Sequence, residues 1–221
     1  MRVVAISDTH NRHRHVIIPE CDLLIHAGDL SSQGHMWELK NFATWANNQP
    51  AKHIILIPGN HELGWEDNWQ GGVDTLLEQC PRMNILNDSF IEIDGIKIWG
   101  SPVTPWFYRW AWNRARDPRL THVHGPYIKD HWDLIPNDID ILITHGPPRG
   151  ILDFVDEYRK DLGCSDLLNK VLEVKPQYHI FGHIHNGHGE KLQDGITFIN
   201  AAICDDYNMP AHEPIKFIYG A

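Results

Sequence analysis

Four cysteines in 221 residues, Cys21, Cys80, Cys164 and Cys204, stand far apart and form no CxxC pair. That spacing excludes a thiolate zinc knuckle and a disulfide framework, and it predicts reduced thiols in a cytoplasmic setting. No stretch is long and apolar enough to cross a bilayer, so no membrane is expected as a partner. The first residues, Arg2-Val3-Val4-Ala5-Ile6, read as a strand and lack the charged-then-apolar pattern of a secretory leader. Basic residues are also short: 19 Lys and Arg stand against 29 Asp and Glu, a formal charge of -10, with no long cationic run. An extended surface that neutralises nucleic-acid phosphates is therefore not expected, and an anionic ligand would need local positive charge, which bound cations can supply. Neither a repeat nor a low-complexity tract is present, and 42% hydrophobic with 22% charged residues is a globular composition. One domain over residues 1–221 is the simplest partition.

Short runs rich in Val and Ile recur at residues 3–6, 23–25, 54–57, 96–99, 139–143, 179–181, 196–199 and 215–219. These predict strands, and several lack polar alternation, as happens where both faces of a sheet are covered. Helical spacing marks residues 36–47, 73–79 and 164–174. The alternation predicts an α/β fold, with room for antiparallel pairing where strands lie close together in the chain. Residues 102–126 break the rhythm: Trp106, Phe107, Tyr108, Trp110 and Trp112 interleave with Arg109, Arg114, Arg116 and Arg119. A long loop or cap is expected there. Its rings could stack a nucleobase, but the sequence alone favours a hydrophobic lid or a contact between copies. Trp65 and Trp69 are further candidate pocket walls.

What the chain has in excess is histidine, with 16 residues. Polar clusters come directly after the apolar runs: Ser7-Asp8-Thr9-His10, Gly28-Asp29, Gly59-Asn60-His61-Glu62, Thr144-His145-Gly146 and Gly182-His183-Ile184-His185. Ligands of open α/β sheets bind at the carboxyl ends of strands, so separate clusters can converge on one site. Carboxylate, amide oxygen and imidazole suit divalent Mn, Fe, Zn or Ni. Asp8, His10, Asp29, Asn60, His145, His183 and His185 are enough donors for two such ions. His26, within a strand just before Gly28, reads equally as a core histidine or as a partner of a ligand. His13, His15, His35, His53, His131, His179, His188 and His212 are expected to be surface or structural residues.

Taken in chain order, DTH, GD, GNHE, TH and GHIH resemble the signature of the calcineurin-like metallophosphoesterase superfamily. The finer resemblance is to its metallophosphoesterase-domain-containing branch. It extends over LLIHAGD, GNHE, Pro105-Trp106-Phe107, WDLIP, DILITHGPP, Gly163-Cys164, FGHIH with Asn186-Gly187, and Phe198-Ile199-Asn200-Ala201. The resemblance implies an α/β two-sheet β-sandwich flanked by helices on both sides. It also implies metal-dependent hydrolysis of small phosphodiester or nucleotide substrates, cyclic nucleotides among them, often with manganese. Carried over by position, Asp8, His10, Asp29 and His185 would bind one ion, with Asp29 bridging to a second ion completed by Asn60, His145 and His183. His61 would face the scissile phosphate as the catalytic residue, stabilising the transition state or protonating the leaving oxygen. Paired metals acidify water and clamp both reacting oxygens, which makes a bridging hydroxide the expected nucleophile. Some animal members of the branch replace the first His of GHIH by Gly and are weakened, whereas this chain keeps His183. Two alternatives stay open: a phosphomonoesterase, and a metal-supported interaction protein with little turnover. Leu30-Ser31-Ser32-Gln33-Gly34 lacks the Asp-Arg-Gly continuation of protein serine/threonine phosphatases, which ranks that subclass low.

Overall fold

The computed structural model describes residues 1–155 and 157–220. In chain order the strands are β1 (Arg2–Ile6), β2 (Cys21–His26), β3 (Ala51–Leu56), β4 (Met83–Ile85), β5 (Ser89–Ile93), β6 (Ile96–Ser101), β7 (Thr104–Pro105), β8 (Asn113–Arg114), β9 (Ile141–Thr144), β10 (Phe154–Val155), β11 (Lys160–Asp161), β12 (Tyr178–Phe181), β13 (Gly189–Gln193), β14 (Ile196–Asn200) and β15 (Ile215–Ile218). The helices are α1 (Met36–Asn47), α2 (Leu63–Asp67), α3 (Trp69–Gln79), α4 (Thr121–His124), α5 (Ile128–Trp132) and α6 (Ser165–Val174).

Two main sheets result, ordered β15-β1-β2-β3-β4 and β13-β14-β12-β9-β6-β5. Strands β1 to β4 run parallel, and so do β14, β12, β9 and β6; β15, β13 and β5 join antiparallel at edges. The near-continuous apolar runs reflect period-two geometry with both faces buried. In β1, Val3 and Ala5 enter the cluster between the sheets, where Leu23, Ile25 and Ile55 meet Ile98, Ile141, Ile143, Ile180 and Ile199. Val4 and Ile6 point the other way, against Leu39, Phe42, Ala43 and Ala46 of α1 and Leu76 of α3. The outer face of the second sheet, through Leu142, Phe181 and Phe198, packs on Ile128 and Trp132 of α5 and Leu167 and Val171 of α6. The outcome is the expected α/β sandwich with helices on both sides.

At one end the sheets touch. Ser7 donates its N–H to Ala201 O at 2.8 Å, and Ile203 donates to Ser7 O at 2.9 Å, extending β1 beside the end of β14. This seam brings the carboxyl ends of both parallel sets to one edge of the sandwich.

In the two main sheets three strands lie outside the sequence expectation, β4, β5 and β13, as do the two-residue strands β7, β8, β10 and β11 elsewhere. β4, β5 and β13 each sit at the edge of a main sheet, where one side lacks a neighbour and an apolar run is not required. The helix expected over residues 73–79 begins earlier, at Trp69, because Asn68 caps it by accepting from Gly71 N at 3.2 Å. Residues 102–126 form a cap held by the β7–β8 pair, with α4 near its end.

Trp65 is not a pocket wall. It is fully buried in the cluster beneath α1 and α3, stacked on Trp69 with centroids 5.3 Å apart, and its Nε1 donates to Trp69 O at 3.2 Å. Trp65→Ala is expected to lower unfolding free energy by about 3–5 kcal/mol, the cost of deleting a buried aromatic ring. Leu77→Ala, at a side chain already 37% exposed, should stay within about 1 kcal/mol. Urea denaturation of the two variants checks the pair.

Candidate metal centre

The polar residues just past β1, β2, β3, β9 and β12 all reach the seam. Their backbones interlock first: Asp8 N donates to Gly28 O at 2.9 Å, His10 N to Asp29 O at 3.1 Å, and Gly182 N to His145 O at 2.9 Å. The turns are tight enough that Asp8, His10, Asp29 and His183 adopt φ of +51°, +41°, +56° and +68°. Non-glycine residues enter that left-handed region only where the surroundings hold them there. Gly59 and Gly182 are needed for the same closeness, because a Cβ on either would overlap a carboxylate oxygen, of Asp29 and of Asp8 respectively.

Three sets of ligand atoms converge, each within 4.8 Å of one another: Asp8, His10 and His185; His10, Asp29 and His61; Asp29, His145 and His183. Because they share His10 and Asp29, the sets form one continuous cluster. Asn60 joins it through Oδ1, 2.8 Å from His145 Nε2. Every residue singled out from the sequence as a candidate ligand or as catalytic is therefore brought together here. By proximity alone His61 could also be a ligand; its Nε2 is 4.0 Å from Asp29 Oδ2, and its Nδ1 is 3.0 Å from Ser32 O.

The donor chemistry fits cations. His145 Nδ1 pairs with Ala27 O at 2.9 Å and His185 Nδ1 with Asp205 O at 2.7 Å. Each carbonyl fixes the proton on Nδ1, leaving Nε2 as the ligating atom. His145 Nε2 then faces Asn60 Oδ1 at 2.8 Å and Asp29 Oδ1 at 3.3 Å. His185 Nε2 faces Asp8 Oδ1 at 3.4 Å and His10 Nε2 at 3.3 Å. Lone pairs meeting lone pairs in a buried space call for positive charge between them.

The electrostatics agree. Burial pulls His145 and His185 downward, but Asp29 beside the first and the Asp8 hydrogen bond to the second raise both to about 9. In effect, protons take the place a cation would occupy. Burial would raise Asp8 and Asp29; for Asp8 the hydrogen bond and charge of His185 outweigh it, and for Asp29 the charge of His145 does, so both stay below the usual carboxylate range. Burial pushes His10 down to about 4 and His183 to about 3, so both offer neutral nitrogens at physiological pH.

Two positioning residues are not evident from the sequence. Glu62, wholly buried, accepts from Gly59 N at 2.6 Å, Asp29 N at 3.0 Å, Ser31 N at 3.0 Å and Ser31 Oγ at 2.8 Å. It clamps the turn carrying Asp29 to the turn carrying Asn60. Burial and the Asp29 charge push its carboxyl up to about 8, against the hydrogen bonds from Ser31 and Gly59 that favour the anion. Asn200, at the end of β14, donates to Ile184 O at 2.8 Å and accepts from Ala202 N at 3.1 Å, fixing the turn between His183 and His185. Both obey the same rule as the ligands, a polar residue at or just past the end of an apolar run. His26 is buried against Phe42 and bonds no ligand side chain: its Nε2 lies 3.0 Å from Thr9 Oγ1 and its Nδ1 accepts from Gly28 N at 3.3 Å, so it braces the turns beside Asp8 and Asp29. His13 and His179 are buried in the interior, and His131 pairs with Asp88 at 2.6 Å, away from the cluster.

A helix-flanked double sheet whose strand ends gather this donor set is the architecture of a metal-dependent phosphoesterase. The chain belongs to the calcineurin-like phosphoesterase family, whose sequence model matches residues 1–187. It is 37% identical over 237 residues to metallophosphoesterase domain-containing protein 1 of Homo sapiens, spanning 97% of this chain and 69% of that one. It is 38% identical to the UPF0046 protein K07C11.7 of Caenorhabditis elegans, over 98% of this chain and 74% of that one. Among solved structures it resembles the phosphopantetheinyl hydrolase of Mycobacterium tuberculosis, with TM-score 0.60 at 17% identity over 93% of this chain and 90% of that one. An archaeal phosphodiesterase gives TM-score 0.50 at 16% identity, over 98% and 100% of the two chains. At such identities the structural likeness shows a shared fold. Family membership makes the protein a hydrolase of phosphate esters with metal-binding residues.

Glu62→Gln replaces an acceptor oxygen with an amide group that meets donors already in place. Divalent-metal affinity, measured by calorimetric titration of the metal-stripped protein, is expected to fall by about 10- to 100-fold, the usual cost of losing support behind a ligand. Unchanged affinity would remove Glu62 from the centre.

Proposed function

We propose that this protein is a binuclear metal-dependent phosphodiesterase of small substrates, cyclic nucleotides among them. The observation that carries the reading is the placement of Asp29. Its Oδ2 lies 4.0 Å from both His10 Nε2 and His61 Nε2, while its Oδ1 lies 3.3 Å from His145 Nε2. One carboxylate thus faces both halves of the cluster, as a bridge would. Asp8, His10 and His185 with Asp29 would hold one ion; Asn60, His145 and His183 with Asp29 would hold the other. When bound, paired divalent cations polarise phosphoryl oxygens and lower the pKa of water. Manganese is the first choice, and Fe, Zn and Ni suit the same mixed donors.

The remaining work falls to this chain. His61, with 23% of its side chain exposed, stands at the open side of the cluster, edge-on to His10 with centroids 4.6 Å apart. Ser32 O holds its Nδ1 proton, so a second proton on the ring resides on Nε2, the atom turned toward the cluster and able to donate to a leaving oxygen. Preference for diesters over monoesters is supported by the breadth of the motif resemblance. Four buried free cysteines support a reducing compartment, the cytoplasm. Among the described residues no helix is long and apolar enough to cross a membrane.

Mn-loaded protein is expected to hydrolyse bis-p-nitrophenyl phosphate and cyclic nucleotides faster than p-nitrophenyl phosphate. Absence of turnover with every divalent metal tried would reject the reading, and faster monoester cleavage would move it to a phosphomonoesterase. Elemental analysis should give two metals per chain, and Asp29→Asn should lose both. His61→Ala should keep both metals while kcat falls by about 10²- to 10⁴-fold, the range typical of a proton-transfer residue. Loss of metal in that variant would make His61 a ligand instead.

A further inference from the structure

The aromatic cap is fastened to the metal centre. Ala111 N donates to Asn60 O at 3.1 Å, and Trp112 N donates to Glu66 Oε2 at 2.9 Å. Arg114 extends the attachment, reaching Glu66 at 3.3 Å and His131 Nε2 at 3.2 Å. These bonds hold two rings on cluster residues. Trp110 lies over His61 with centroids 4.4 Å apart and planes inclined by 32°, and Phe107 packs on His183 at 5.2 Å. The Tyr108 turn between them, with φ +48°, leaves Tyr108 71% exposed.

Beyond His61 an open cavity of about 390 Å³ is lined by Gln33, Leu63, Tyr108, Arg109 and Trp110. It adjoins the cluster through Trp110, which lies on His61, and Gln33 and Leu63 directly follow Ser32, whose carbonyl meets His61 Nδ1, and Glu62, which accepts from Asp29 N. Its size falls within the roughly 300–1,000 Å³ of small-ligand sites. Its walls combine an indole face, an aliphatic side chain, a phenol and a guanidinium. Rings in a core would be covered, and here a rigidly anchored pair borders solvent at the mouth of the centre. A flat π-system gains from stacking on indole and from a nearby guanidinium, whereas an alkyl group gains little from either.

We infer that the Trp110 face and this cavity form a subsite for a planar aromatic group in the substituent of the phosphate ester, an aryl ring or the base of a nucleoside, selecting such esters over purely aliphatic ones. The inference rests on the phosphoesterase reading of the cluster and adds the part of the substrate that the cluster does not touch. Trp110 and Arg109 are specificity residues in this account; bond cleavage stays with the cluster.

Calorimetric titration of the Mn-loaded protein tests it without turnover. Two ligand pairs are compared: phenylphosphonate against methylphosphonate, and adenosine 5′-monophosphate against ribose 5-phosphate. The aromatic member of at least one pair should bind about tenfold tighter, in keeping with base–aromatic stacking. Preference in the first pair alone assigns the subsite to rings carried directly on phosphorus; preference in the second extends it to nucleobases. Trp110→Ala should reduce that ratio to below about twofold with methylphosphonate affinity unchanged, and Trp110→Phe should restore it. Metal content is measured alongside, because Trp110 touches His61. If Trp110→Ala fails to fold, the exposed Arg109→Ala carries the comparison and should lower the aromatic ratio at least about threefold. Equal affinity within both pairs for the native protein, or equal weakening of aromatic and alkyl ligands by the variants, overturns the inference. Failure of the diester assay with a preserved aromatic preference would instead overturn the diesterase reading and leave the subsite standing.

Discussion

Two carboxylates share one buried pocket. Asp8 is wholly inaccessible and Asp29 only 2% exposed, and both stay ionised inside a sandwich where their ion-pair partners, among the described residues, are histidines and never Lys or Arg. Buried charge is tolerated only when it is paired, hydrogen-bonded or bound to metal. In this chain imidazoles surround the carboxylates, and cations would complete the balance. The surrounding backbone serves that requirement. Four of the donor residues sit at positive φ, at a cost on the order of 1–3 kcal/mol each. The bonds between turns, from Asp8 to Gly28 and from His10 to Asp29, keep them there.

Donors arrive from both sheets, and this ties chemistry to architecture. Asp8, His10, Asp29 and Asn60 come after strands of the first sheet, whereas His145, His183 and His185 come after strands of the second. The Ser7–Ala202 seam, with bonds from His183 N to Asp8 Oδ2 and between His145 Nδ1 and Ala27 O, brings the two sets within reach. Ions bound here would clamp the sheets together, so part of their binding free energy would appear as folding stability. Glu62 and Asn200 perform the same task locally, each holding a pair of turns through backbone donors or acceptors.

Much of this was legible in the sequence because the period-two apolar runs and the polar residues that end them are local signals. Asp8 past the end of β1 and His183 past the end of β12 stand out as the polar residues that terminate each run. Edge strands such as β13 were not legible, since Gly189–Gln193 needs no continuous apolar face. Glu62 was visible within GNHE, but its role depends on donors 31 and 33 residues away in the chain, which no local pattern reveals. The aromatic cap shows the same limit. Its composition allowed a lid, a contact between copies or a stacking surface, and only the bond from Ala111 to Asn60 places its rings beside His61.

That attachment also bears on the acidity of the chain. A formal charge of -10 repels phosphate at long range, so attraction must be local, and salt screens the repulsion beyond about 10 Å. Cations at the cluster would concentrate positive charge where ester oxygens sit, while the cap would offer the organic part of a substrate an aromatic face beside the Arg109 guanidinium. Such a division favours a small ester whose phosphate enters a buried polar centre and whose substituent stays at the rim. A long polyanion would gain the same centre and meet the net negative charge of the rest of the chain.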